Sequence, residues 1–162
     1  MKMLDVGSGH QPLKEASHLS DITIGKDEHR AGFKTVIDVR PFIVCSTEYL
    51  PFKKNSFHYV VSRHVLEHTD NPIKALNEMK RISKRGFVEI PSSWWEMVFT
   101  REWDMHKWNI TKKVKVRSNK KGVAKALRYV LGKMWLFDFR IRLRERFFIK
   151  IFRKTRKNVF RW

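Results

Sequence analysis

Leu4-Asp5-Val6-Gly7-Ser8-Gly9 is a short apolar run that ends in an acid and then a Gly-x-Gly turn. That is how a parallel strand hands its chain to a nucleotide-binding loop. Glycine is needed where the backbone turns tightly and where a ligand comes close with no Cβ in the way. The loop therefore marks the expected ligand-binding end of a first strand over residues 3–9. Asp5 admits two readings here, a ligand contact or a side chain that caps its own loop.

Residues 10–17 are polar and read as one helical turn or a loop. A second strand is expected over His18–Ile24, where Ile22 and Ile24 alternate after Asp21. Residues 25–34 are a charged loop. TVIDV and FIV within 35–44 are β-rich pieces split by Arg40-Pro41. Leu50-Pro51-Phe52 followed by KKNS is a turn, and FHYVVS at 57–62 is a strand buried on both faces. Asp70-Asn71-Pro72 starts a helix, with a capping side chain and then a proline where the missing N–H costs nothing. The helix is expected to run to about Lys84, with Ile73, Leu76, Met79 or Lys80, and Ile82 on its apolar side and Gly86 as its C-cap. Phe87–Ile90 is the next strand, closed by Pro91. Strands alternating with crossovers imply a parallel sheet, so the expected fold class is α/β, Rossmann-like, with flanking helices. VKV at 114–116 reads as a strand, SNKKG at 118–122 as a turn, and residues 123–135 as a helix. Residues 137–144 alternate as a strand does, while Leu136, Phe139, Leu143 and Phe147 also fit a helical face; periodicity does not choose between them.

The 162 residues suffice for one domain with a core. The single cysteine, Cys45, excludes an internal disulfide framework and a Cys-rich zinc site, and points to a reducing, cytoplasmic compartment. No run of 18 apolar residues exists, and Asp5 and the glycines interrupt any signal-peptide core. The net charge of +19 is unevenly placed: residues 1–111 hold 16 Lys/Arg and 14 Asp/Glu, residues 112–162 hold 19 Lys/Arg and only Asp138 and Glu145. The expected division is a core over 1–111 and a basic, aromatic segment over 112–162 that completes the fold. A field of that sign favours an anionic partner. Its aromatics and cations suit peripheral attachment to an anionic membrane surface more than nucleic acid, although base stacking on aromatics and phosphate contacts are the other use of such a composition.

LDVGSG, then YLPFKKNSFHYVV, then SRHVLEHTDNPIKALNEMKRISKRGFVEIPS resembles a class I S-adenosylmethionine-dependent methyltransferase of the type 11 methyltransferase domain family, over roughly residues 3–93. The resemblance implies S-adenosylmethionine as cofactor and methyl transfer to an acceptor as activity. It implies that Gly7, Ser8 and Gly9 lie under the methionine and ribose portions and that Asp5 helps hold the amino group. Asp21 is favoured over Asp38 for the ribose hydroxyls, which makes the first helix unusually short. Where members often carry an Asp for the adenine amino group this chain has Ser46, with Thr47 and Glu48 as neighbours. Ser62, Arg63 and His64 are implied to line the methyl-transfer site, and His58 stands where many members have an aspartate. His64 and His106 are the candidate proton acceptors. Relative to the family the chain reads as N-terminally abbreviated, so the alternative function is a degenerate module that keeps the sheet and binds anionic lipid or RNA through its tail.

His64-Val65-Leu66-Glu67-His68 also matches H-x-x-E-H, an inverted zinc-protease motif. On a helix, His64 and His68 share a face and Glu67 is placed as a base, with Glu89, Glu96 or His106 as the third ligand. That reading leaves the glycine loop without a role, and no metal is expected.

Overall fold

The computed structural model describes residues 1–25, 32–91, 106–110, 116–118 and 157–162. Five short strands come first in the chain: β1 (Met3–Val6), β2 (His18–Asp21), β3 (Phe42–Val44), β4 (Tyr59–Arg63) and β5 (Gly86–Pro91). The helix α1 (Pro72–Ile82) joins β4 to β5; β6 (Trp108–Ile110), β7 (Val116–Ser118) and β8 (Lys157–Arg161) follow. Six of the strands form one sheet in the order β3-β2-β1-β4-β5-β8. The pairs β1/β2, β1/β4, β2/β3 and β4/β5 are parallel. Gly86 and Trp162 exchange both backbone hydrogen bonds, at 3.1 and 3.3 Å, which is the antiparallel pattern at the β8 edge. The α/β, mostly parallel expectation is met.

The chain divides into two compact units. The first comprises Met1–Ile90 with Val159–Trp162, the second Pro91–Asn158. In the second, β6 and β7 pair antiparallel with Asn109 opposite Arg117. In the first, β1 is buried along its whole length, as a central parallel strand covered on both faces must be. Met3, Ala16, Leu19 and Val61 form one buried cluster, extended by Leu13, Phe42, Tyr59 and Phe87.

Several element ends differ from the expected ones, each for a local reason. β2 stops at Asp21, because its carboxylate turns back onto the amides of Ile22 and Thr23. TVIDV is not a strand: the Thr35 amide donates to Gly25 O and the Val36 amide to Gly9 O, so these groups serve loops. β4 begins at Tyr59 because the Phe57 amide is taken by Ile82 O and the His58 amide by Lys2 O. α1 is capped by Asn71, whose side chain accepts from the Lys74 amide, and it ends at Ile82 with an extended Ser83. Gly86 is therefore not a C-cap. It opens β5, where an added Cβ would lie 2.1 Å from the Trp162 ring. Its bareness makes room for the last residue of the chain, whose indole N–H donates to Ser83 O. Ile73 is exposed, and the buried stripe of α1 is Pro72, Ala75, Leu76, Met79 and Ile82. The expected elements over 118–122, 123–135 and 137–144 lie outside the described residues, apart from Ser118 at the end of β7.

The LPF turn is held by α1. Arg81 donates to the carbonyls of Leu50 and Phe52 at 2.9 and 2.7 Å and to both oxygens of Glu78, while Glu78 accepts from the Leu50 amide. Burial opposes ionisation of Glu78, but the Arg81 guanidinium outweighs it and holds the carboxyl below its ordinary range. Arg81→Ala strands these acceptors. Urea unfolding is expected to show a loss of about 2 kcal/mol, in line with hydrogen bonds to a charged group; an unchanged midpoint would show that the turn stands without it.

Candidate cofactor site

Strand order reverses at β1, with β2 on one side and β4 on the other. In open α/β sheets the crevice at that switch, beyond the carboxyl ends of the strands, is where ligands bind. The glycine loop leaves β1 at this point. Gly7 and Gly9 sit at φ +70° and +56°, the left-handed region that glycine enters without strain. The amides of Gly7 and Ser8 both donate to Ser20 O, at 2.8 and 3.0 Å, so the loop is strapped to β2.

Asp21 ends β2 and is buried. Its Oδ2 accepts from the Gly9 amide at 2.8 Å and its Oδ1 from Ile22 at 2.8 Å. Its Oδ1 also faces the Thr23 amide, so the carboxylate is ringed by backbone N–H groups. The favoured acid thus stands at the loop itself. The β1–β2 connection makes only turns over residues 7–17, which is why the spacing from Gly9 is short. Asp38 is placed differently. It is bound to Arg40, whose guanidinium holds the carboxyl down to about 2, and Arg40 also donates to the carbonyls of Leu13 and Ala16. That pair fastens the β1–β2 connection.

Asp5 is fully buried. Its Oδ2 accepts from the Leu13 amide at 2.8 Å and lies 3.6 Å from the Arg63 guanidinium. Burial raises its carboxyl above the ordinary range, against the lowering effects of that amide and of Arg63. Asp5 therefore supports its own loop, and its Oδ1 is buried without a hydrogen-bond partner. The Ser8 and Ser62 hydroxyls and Arg63 Nε are buried and unpartnered too. Ser62 sits across from Val6, on the residue pair that flanks the start of the loop. Buried polar groups left without partners in a native fold are expected to meet a ligand or water.

The bareness of Gly7 does not serve the ligand expected there: an added Cβ would lie 2.2 Å from Val65 Cγ2. The space belongs to the segment that follows β4. Where the resemblance implies an adenine contact, Ser46 Oγ accepts from the Glu48 amide and Thr47 is buried. Glu48 accepts from the amides of Asp70 and Asn71, so its Oε1 is committed to the start of α1. His58 is exposed, with its Nδ1 accepting from the Lys2 amide.

After β4 the chain does not form the helix that a zinc-protease reading requires. His64 lies at φ +56° and only Leu66–His68 makes a 3-10 turn, so His64 and His68 share no α-helical face. Instead the His64 amide donates to Glu89 O at 2.8 Å, its Nε2 is 3.2 Å from Glu89 Oε1, and its Nδ1 is 3.6 Å from Glu67 Oε1. The structure brings Asp5, Gly7, Ser8, Gly9, Asp21, Ser62 and Arg63 to the ends of β1, β2 and β4, with His64 next along. His106 belongs to the second unit, where it is buried. The roles of Val65 and of Glu67 beside His64 escaped sequence reasoning, because an i,i+1 or i,i+3 relation tells little until the backbone turn is known.

This loop at the switch point of a mostly parallel sheet defines a Rossmann-like cofactor-binding domain. The family model described as a methyltransferase domain matches residues 4–88, just over half of the chain. The chain belongs to that methyltransferase domain family, whose cofactor is S-adenosylmethionine. No curated protein matches the chain. Among solved structures it is similar to the YcgJ protein of Bacillus subtilis, at 20% identity over 56% of this chain and 44% of that one, with TM-score 0.41. It is similar to a SAM-dependent methyltransferase from Thermotoga maritima, at 20% identity over 79% of this chain and 61% of that one, with TM-score 0.47. For the PH0226 protein of Pyrococcus horikoshii the values are 15%, 80%, 71% and 0.46. The chain thus spans 44% of the length of the first of these proteins and 61% of the second.

The described residues fit the cofactor. A buried carboxylate oxygen without a donor suits an ammonium, an acid at the end of β2 suits ribose hydroxyls, and the loop between them is strapped in place.

Proposed function

We propose that this chain moves the methyl group of S-adenosylmethionine to a nucleophilic acceptor beside the ends of β4 and β5. The observation that carries the reading is the unpartnered Asp5 Oδ1 beside the strapped Gly7-Ser8-Gly9 loop at the strand-order switch. When bound, the cofactor supplies a sulfonium methyl, an activated group that needs alignment more than acid catalysis. Asp5 holds the ammonium, Asp21 the ribose hydroxyls, and Gly7, Ser8 and Gly9 the span between. Ser46 and Thr47 border the adenine, where a neutral hydroxyl replaces a charge. Ser62, Arg63 and His64 line the acceptor side, with His64 as the proton acceptor.

Calorimetry with S-adenosylhomocysteine tests this. The full chain is expected to bind it, and Asp21→Ala is expected to weaken binding by at least about tenfold, the scale of one hydrogen bond to a charged group. Full affinity in the variant would remove Asp21 from the site, and absence of binding at millimolar ligand would remove the function.

The charge of residues 112–162 supports an anionic membrane surface as a further partner. The chain is expected to co-sediment with vesicles containing phosphatidylserine and to be released by salt; a larger shift with RNA than with vesicles would overturn that order.

A further inference from the structure

The first compact unit carries its opposite charges at opposite ends of the sheet. β1, β4 and β5 start level with one another: Met3 lies opposite Tyr59, and Val60 opposite Gly86. Lys2 directly precedes β1, and Lys84 and Arg85 directly precede β5. The Asn55 amide donates to Arg81 O and the Phe57 amide to Ile82 O. These bonds bring Lys53 and Lys54 to the same end, beside the last turn of α1, where Lys80 stands. All six cationic residues are exposed. Residues 50–58 and 79–86 contain no Asp or Glu. Glu78 is bound to Arg81, and Glu15 stands beside Lys14 in the β1–β2 connection. Acids gather at the other end: Asp21 closes β2, Glu48 accepts from the amides that start α1, and Glu89 faces His64 beyond β4. Strands of four to six residues keep the two ends about 13–20 Å apart. That exceeds the Debye length of about 8 Å at physiological salt, so the acids offset the cations little.

We propose that the end of the sheet where β1, β4 and β5 start is a docking face for an anionic lipid bilayer, and that docking turns the cofactor crevice away from the bilayer. The inference rests on the membrane reading above and deepens it, by assigning a contact to the first unit and giving that unit an orientation. A body with cations at one end and acids at the other is turned by a negative surface before it touches it. The cations are spread over two strand starts, a turn and a helix end, an arrangement that meets a plane of headgroups. Each is drawn separately by the negative potential of the leaflet. Five of the six are lysines, compact hydrated charges, rather than the forked guanidinium suited to nucleic-acid recognition. Single-stranded nucleic acid also calls for aromatic platforms among the cations. Among the described residues the exposed aromatics are Phe33 and Tyr49. Phe33 stacks on His10 after the glycine loop, and Tyr49 lies under Lys74 in the first turn of α1, so both stand at the crevice end.

The test compares two variants of the full chain on phosphatidylcholine vesicles containing phosphatidylserine. Lys53→Gln/Lys54→Gln/Lys84→Gln removes three charges from the proposed face. Thr23→Glu/Lys34→Glu lowers the net charge by the same three at the crevice end. Co-sedimentation of the first is expected to weaken at least about tenfold, and that of the second less than about threefold. In the unmodified chain, bicelles of the same lipids doped with a nitroxide lipid are expected to attenuate the amide NMR signals of residues 53–56 and 84–85 most, and those of residues 22–24 and 48–50 least. Equal weakening of the two variants, or strongest attenuation at residues 22–24, would overturn the docking face and leave the membrane reading standing. A larger effect of the lysine variant on binding of a double-stranded RNA than on vesicles would overturn it too, since the face would then be one for nucleic acid. Failure of the unmodified chain to attach to these vesicles overturns the membrane reading, and the inference with it.

Discussion

Gly7→Ala is expected to cost about 2–6 kcal/mol of folding stability. Two terms combine. The residue sits at φ +70°, where a side chain brings about 1–3 kcal/mol of backbone strain. The new Cβ would also lie 2.2 Å from Val65 Cγ2 and 3.3 Å from Val65 Cβ, and overpacking of that kind costs about 1–3 kcal/mol. A double-mutant cycle separates them. In Gly7→Ala/Val65→Ala the obstructing methyl is gone, so the double variant should be more stable than the sum of the singles by about 1–3 kcal/mol. Urea unfolding of the four proteins measures this. Strict additivity would show that Val65 does not hold the loop. A Gly7 variant that loses cofactor affinity is accordingly a folding variant first, and affinity has to be compared among proteins shown to be folded.

Asp5→Asn is expected to move stability and binding in opposite directions. The wild-type carboxyl is buried, and burial raises it above its ordinary value of 3.8 in the folded chain. Between that value and the raised one, the folded state binds more protons than the unfolded state. Stability therefore falls as pH rises through this window. Asparagine keeps an oxygen for the Leu13 amide and carries no charge to desolvate. The variant should melt at a higher temperature than wild type at pH 7, with the difference shrinking as pH drops toward 3.8. At the same time it removes the negative charge next to the unpartnered Oδ1 position, so S-adenosylhomocysteine should bind at least about tenfold more weakly. Melting scans across pH together with calorimetry check both halves. A lower melting temperature at pH 7 would mean that the contact with Arg63 outweighs burial, and intact affinity would leave Asp5 a loop-supporting residue alone. Such opposition is what a site that stores instability for function predicts.

Much of the frame is legible in the chain because its signals are local. An apolar tetrad before Gly-x-Gly, an Asn-Pro helix start and alternating β-branched runs each act over a few residues. They are sufficient for β1, β4, α1 and β5 to within a few positions. The errors fall where long-range hydrogen bonds decide. Lys2 O takes the His58 amide and shortens β4, while Gly9 O takes the Val36 amide and keeps TVIDV out of the sheet. Gly86 reads as a helix cap by its place in the sequence, and it is a strand residue because Trp162, 76 positions later, needs the space. Asp21 and Asp38 look equivalent as turn acids. Only the fold shows one held by the glycine loop and the other by Arg40.

The sequence by itself determined the family, the mostly parallel sheet and the glycine loop at the end of β1, because strand-to-loop transitions and helix starts are written in adjacent residues. The tertiary structure decided what those residues touch. It assigned the space beside Gly7 to Val65, turned His64 out of the zinc-motif helix, and set a buried Glu67 beside it. The physical reason is that a left-handed backbone angle and a buried carboxylate arise from packing among β1, β4 and β5, and no spacing along the chain encodes them.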